Sequence, residues 1–151
     1  MIHGVEIKEL RVINDERGYL MECLRNDDVI YNQFGQVYIS AVYKNAVKAW
    51  HYHKNQTDIV VCVSGMIKLA LCDNRQNSVT NGEVNEFFIG DKNPILVKIP
   101  NGVYHGWKGI ATPISVVMNC PDKVYDYDNP DEFRTDPYDN DIPYDWRRKD
   151  G

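Results

Sequence analysis

Three of the chain's four histidines fall at spacings that could carry acid–base chemistry. In Trp50-His51-Tyr52-His53 two imidazoles stand two residues apart. On a strand such residues project from one face with Cβ atoms roughly 7 Å apart. His51 and His53 therefore share a surface, and Trp50 and Tyr52 take the other. The third, His105, follows the turn Pro100-Asn101-Gly102 and is delivered onto the next strand beside Tyr104 and Trp107. A neutral imidazole takes a proton near neutral pH and an imidazolium returns one. Asp58, five residues after His53, adds a carboxylate that favours the charged form of a histidine beside it. The same four groups, His51, His53, Asp58 and His105, also make a nitrogen–oxygen donor set suited to a divalent transition metal. Proton transfer and metal binding are thus both open. A lone histidine is more often structural than catalytic. Three at these spacings, each next to aromatics able to floor a pocket, favour a site, whereas His3 has no such company.

Strands must bring these groups together. Val37, Ile39 and Ala41 alternate with Gln36, Tyr38 and Ser40, which is period two. Asp58 to Ser64 is a continuous apolar run stopped by Gly65, and Met66 to Cys72 follows at once, predicting a hairpin. Further strands are predicted at Glu86–Ile89, Ile95–Ile99 and Ile114–Asn119, each set off by Gly, Pro or Asn. Helix signals are scarce, and the best, Asn26 to Phe34, allows two turns at most. Many short strands at roughly ten-residue spacing predict an all-β sandwich or barrel with little helix.

A length of 151 residues fits one domain able to bury a core without disulfides or a structural metal. The composition, 43% apolar and 26% charged, is that of a globular chain. No apolar run approaches the roughly 20 residues of a bilayer span, and MIHGVEIKEL lacks a signal-peptide apolar region. Cys23, Cys62, Cys72 and Cys120 are scattered, without a CxxC pair, and are read as free thiols of a cytoplasmic protein. The net charge of −5 is unevenly placed. Residues 122–151 hold ten acids and five bases, so residues 1–121 carry 12 of each. No basic stripe is present, and Arg147-Arg148-Lys149 is too short to make one, so neither nucleic acid nor an anionic membrane is an expected partner. The tail also holds Tyr125, Tyr127, Phe133, Tyr138, Tyr144 and Trp146. Disordered tails are poor in aromatics. Residues 122–151 are accordingly expected to lie ordered on the surface of a domain formed by residues 1–121.

His51-x-His53, Asp58 and Gly65 follow the spacing of the first cupin motif, with Asp where Glu is usual. Pro100-x-Gly102-x-x-His105 follows the second, with Gly109 in place of its Asn. Other segments run through most of the chain: Asp15-x-Arg17-Gly18 with Glu22; Phe34-x-Gln36-x-x-x-Ser40; Asp73-x-Arg75-x-x-Ser78-x-Thr80-x-Gly82; Tyr125; and Ile142-x-x-x-Trp146. In order and spacing they resemble the sugar-nucleotide epimerases typified by dTDP-4-dehydrorhamnose 3,5-epimerase, a cupin branch. The resemblance implies a β jelly roll, a homodimer, no metal and no cofactor, and a dTDP-4-keto-6-deoxyhexose substrate. It places His51 as the base, and on charge grounds His53 or Asp58 is the group that tunes it. Arg17, Glu22, Gln36, Ser40, Lys48 and His105 are implied to line the substrate site, and Tyr38 and Trp107, read from their places beside the histidines, are expected to join them.

Several positions depart from the family. Lys48 stands where arginine is usual, losing the bidentate fork for phosphate. By strand parity it also faces away from His51 unless the strand bulges. The family's enolate-stabilising lysine becomes Asp58. Its opposite-face tyrosine falls near Met118 or Asn119, and the carboxylate that orients its histidine has only Asp150 as a substitute. Three other readings therefore stay open: a 3,4-ketoisomerase using the His51/His53 pair with Tyr38 or Tyr43 as second proton donor, a metal-dependent cupin, and a catalytically silent sugar-binding domain.

Overall fold

In chain order the strands are β1 (Glu6–Glu9), β2 (Val12–Asp15), β3 (Gly18–Met21), β4 (Tyr38–Tyr43), β5 (Val47–Tyr52), β6 (Asp58–Ser64), β7 (Met66–Asp73), β8 (Val84–Gly90), β9 (Ile95–Ile99), β10 (Val103–Gly109), β11 (Ile114–Asn119) and β12 (Phe133–Arg134). They belong to a computed structural model that describes residues 1–150. Two five-stranded antiparallel sheets, ordered β1-β9-β6-β11-β4 and β12-β5-β10-β7-β8, face each other, and β2-β3 stands apart as a hairpin. This is a jelly roll, and no helix occurs among the described residues.

Alternation along the central strands builds the core. Val60, Cys62, Val97 and Val117 of one sheet meet Ile67, Leu69, Leu71, Ile89 and Trp107 of the other. The odd residues of β6, Ile59 and Val61, face outward yet are buried beneath Leu10 and Ile30. Coverage on both faces explains why β6 reads as an unbroken apolar run. Asp58 has the parity of Val60 and Cys62, so its carboxylate enters the end of the core. Gly65 makes the predicted β6–β7 turn at φ 82°, and a Cβ there would lie 2.4 Å from Thr112 Oγ1.

Two segments take a form that the sequence left open. Within Asn26 to Phe34, residues 26–30 form turns, residues 31–34 have no regular structure, and no helix forms. The Asp28 carboxylate accepts the Arg25 N–H and pairs with Lys8, so local side-chain bonding displaces helical propagation. In β4 the alternation holds, but the apolar members lie outside: Ile39 is 67% exposed, while Val42 is buried and Tyr38 and Ser40 face the cleft described below. Strands β1, β2, β3 and β12 are two to four residues long, too short for a periodic signal.

The C-terminal segment lies across the outer face of the second sheet. Trp146 is fully buried against Trp50, with ring centroids 4.9 Å apart, over Ala70, whose small side chain leaves room for the indole. The Tyr144 hydroxyl donates to Glu86.

Candidate active site

The site is set by an irregularity between β5 and β10. His105 pairs with His51, yet Trp107 pairs with Lys48, so two steps on β10 span three on β5. That bulge reverses the side-chain parity of β5 and brings Lys48 to the His51 side, supplying the bend its position requires. Its Nζ donates to Ser40 Oγ at 2.9 Å. Gly106 makes the bulge possible, because a Cβ there would sit 2.3 Å from Ala49 Cβ. On the other flank of β5, Arg134 of β12 pairs with His51 itself.

His51, His53 and His105 converge. Ring centroids lie 4.1 Å apart for His51 and His105, 5.6 Å for His51 and His53, and 5.7 Å for His53 and His105. Asp58 is the hub. Its Oδ2 lies 3.0 Å from His105 Nε2 and 3.3 Å from His53 Nε2, both bent away from ideal hydrogen-bond alignment, and its Oδ1 accepts from Gln56 Nε2 at 2.7 Å. Both ring nitrogens of His53 face acceptors, since Nδ1 meets the Asp131 carbonyl. His105 has the same pattern, with Nδ1 3.0 Å from the Val103 carbonyl.

Electrostatics divide the cluster. His51 is held neutral: removal from water and its histidine neighbours push its pKa well below 6.5. For His53, burial opposes the charge, but the hydrogen bond and field of Asp58 outweigh it and raise the pKa. Burial likewise opposes ionisation of Asp58, and contacts from His105 and His53 overcome it, leaving the carboxyl well below 3.8. The set therefore pairs a neutral imidazole with a charge-balanced His53–Asp58 unit. The same ligand atoms all lie within 4.8 Å of one another, close enough to close around a divalent ion.

A cleft of about 410 Å³ opens over His51, a size typical of small-ligand sites. Tyr38, Ser40, Lys48 and Trp107 line it, joined by Glu132 and Arg134 from the C-terminal segment. Three residues implied by the resemblance stand elsewhere in the chain. Arg17 is exposed on the β2–β3 hairpin and pairs with Asp15, Glu22 pairs with Arg25, and Gln36 accepts the Tyr125 N–H. Tyr104 turns to the outer face against Tyr52, and Asp150 pairs with Arg148 at the surface. Sequence reasoning missed Gln56, Asp131 and Arg134. Gln56 is two before Asp58 and reachable by same-face spacing, whereas nothing local marks Asp131 or Arg134. The motif from Asp73 to Gly82 is a turn: the buried Asp73 carboxylate accepts from Arg75, Ser78 and Thr80, away from the histidines.

A family profile described as dTDP-4-dehydrorhamnose 3,5-epimerase matches residues 1–151. Among similar proteins, a probable low-salt glycan biosynthesis epimerase, Agl13, of Haloferax volcanii is 43% identical over 146 residues, covering 95% of this chain and 89% of its own. The spore coat polysaccharide biosynthesis protein SpsL of Bacillus subtilis is 36% identical, with 97% of each chain covered. Among solved structures, a dTDP sugar isomerase from Desulfovibrio desulfuricans superposes with a TM-score of 0.92 at 31% identity, covering 99% of this chain and 94% of that one.

Proposed function

The chain belongs to the dTDP-4-dehydrorhamnose 3,5-epimerase family, and on that premise we propose that it inverts a carbon beside the ketone of a nucleotide-linked 4-keto-6-deoxyhexose, with His51 as the base. The C4 ketone acidifies the C–H bonds at C3 and C5. A neutral imidazole removes such a proton if the enolate oxygen is stabilised. The observation that carries the reading is the uncharged His51 at the floor of a ligand-sized cleft, beside neighbours whose charges are already balanced. Asp58 stands where an enolate-stabilising lysine is usual, but its charge is met by His53, His105 and Gln56 and so opposes an oxyanion little. Lys48 supplies positive charge on the cleft wall, and Arg134, paired with Glu132, adds guanidinium donors, where a diphosphate or an enolate oxygen would meet them.

Incubation with dTDP-4-keto-6-deoxyglucose in D₂O, following C3 and C5 separately by NMR, tests the reading. Deuterium entering either carbon with inversion supports it. No exchange at either carbon, with several nucleotides tried, removes it, and movement of the ketone to C3 would make the protein a ketoisomerase instead. We further assign it to the cytoplasm, where its four free thiols remain reduced, and to a homodimer.

One observation favours a second reading. His53 and His105 each commit Nδ1 to a backbone carbonyl, the way metal-bound histidines are commonly oriented, and their Nε2 atoms and Asp58 Oδ2 lack well-aligned partners. Elemental analysis of protein purified without a tag separates the two, since a stoichiometric transition metal would establish a metal-dependent cupin.

A further inference from the structure

Inversion needs two proton-carrying groups, one on each side of the reacting carbon, and His51 supplies one. The other must come from the facing wall. Of the remaining polar side chains in the cleft, Lys48 shares β5 with His51 and is bonded to Ser40. Glu132 is an ion-paired acceptor, 2.5 Å from Arg134. Tyr38 differs. It stands on β4 in the first sheet, whereas His51 stands on β5 in the second, so the two approach the cleft from different walls.

The hydroxyl of Tyr38 is held in a defined sense. Asn119, directly opposite on β11, is buried, and its Oδ1 accepts the Ile59 N–H at 3.1 Å. That bond fixes the amide, so Nδ2 must face the phenol, and it donates to Tyr38 Oη at 2.9 Å. The phenolic oxygen thus accepts from Asn119 while its own proton is free to point elsewhere. An amide donor at that oxygen also stabilises the phenolate left after the proton is given up.

We propose that Tyr38 is the proton donor facing His51, and that Asn119 is the positioning residue that aims it. The proposal deepens the epimerase reading and rests on it. In the step, His51 takes the proton from carbon and the C–H electron pair becomes the enolate. The enolate carbon then takes the Tyr38 proton on its other face, the ketone re-forms, and a phenolate remains. Exchange with water returns a proton to Tyr38 and removes one from His51. Burial, with the nearby Asp58 charge, pushes the Tyr38 hydroxyl up to about 12, so it stays loaded over the working range.

The test compares solvent exchange with inversion in D₂O. Tyr38→Phe should still wash deuterium into the unconverted substrate through His51, while inversion falls by about 10²-fold or more. Asn119→Asp keeps an acceptor for Ile59 but replaces the donor facing Tyr38 with an acceptor, drawing the phenolic proton away from the cleft. It should show the same split, which a purely structural role would not produce, and it carries the test if Tyr38→Phe fails to fold. Inversion within a few-fold of wild type in Tyr38→Phe, or exchange and inversion lost together in both variants, overturns the proposal. A wild-type protein that neither exchanges nor inverts fails at the epimerase reading, a distinct outcome that also removes the role of Tyr38.

Discussion

Within the histidine cluster, similar side chains are given different protonation by what each faces. His51 faces other histidines and little water, and so remains uncharged, as the proposed base must be. Replacing it with Asn should lower deuterium exchange by about 10²- to 10⁴-fold while leaving the fold intact. With its pKa below 6.5, His51 should place no acid limb near neutrality in the exchange rate, and a pH profile from 5 to 8 checks this. His53 and Asp58 link the site to stability. The raised pKa of His53 means its stabilising contact is complete below 6.5 and fades as pH climbs through the folded value. The depressed pKa of Asp58 means its contribution is present above 3.8 and fades as pH falls through its folded value. The unit should therefore be strongest between about pH 4 and 6.5. Asp58→Asn, which removes one partner of a buried pair, should cost about 3 kcal/mol in that window and less above it. Urea melts of both proteins at several pH values measure the difference.

At the scale of elements, two devices hold the frame around the site. The turn between β7 and β8 is organised by Asp73, whose carboxyl is held far below its usual range by Arg75, Ser78 and Thr80 against the opposing effect of burial. Arg75 also donates to the His3 carbonyl and ties down the N-terminal segment. Asp73→Asn should lower stability by about 3 kcal/mol with exchange by the folded protein unchanged, because the turn is remote from His51. The C-terminal strap is the other device. Trp146 seals Trp50, the residue before His51, and the same strap contributes Arg134 and Asp131. Trp146→Ala should cost about 3–5 kcal/mol in denaturant melts and reduce exchange more than Asp73→Asn does, since it loosens the support of β5 itself.

For the molecule as a whole, the exposed apolar groups include several on one sheet edge and on the small hairpin. Tyr19 and Leu20 on the β2–β3 hairpin, and Ile39 and Tyr43 on the edge strand β4, are all open to solvent in the single chain. An uncovered edge with apolar side chains is a pairing surface. The proposed homodimer should give twice the 17.5 kDa chain mass by light scattering, and Ile39→Lys with Tyr43→Lys should return it to the monomer.

Much of this was legible in the order of residues. Alternation and turn residues give an all-β chain, the Gly65 hairpin and the shared face of His51 and His53, because strand geometry is local and has a period of two. The spacing around Pro100, Gly102 and His105 marks the third imidazole for the same reason. Tertiary structure decided the rest. Lys48 reaches the site because β5 bulges against Gly106, a property of two strands together. Asp58 is a shielded hub rather than a bare charge because the connection from β5 to β6 brings His53 and Gln56, and β10 brings His105, to it at once. Arg134 joins the cleft because a strap some eighty residues beyond His51 returns to pair with it. Local sequence sets the alternation along a regular strand, whereas where a strand bulges and which side chains meet depend on register between strands, and register is settled only when the whole core packs.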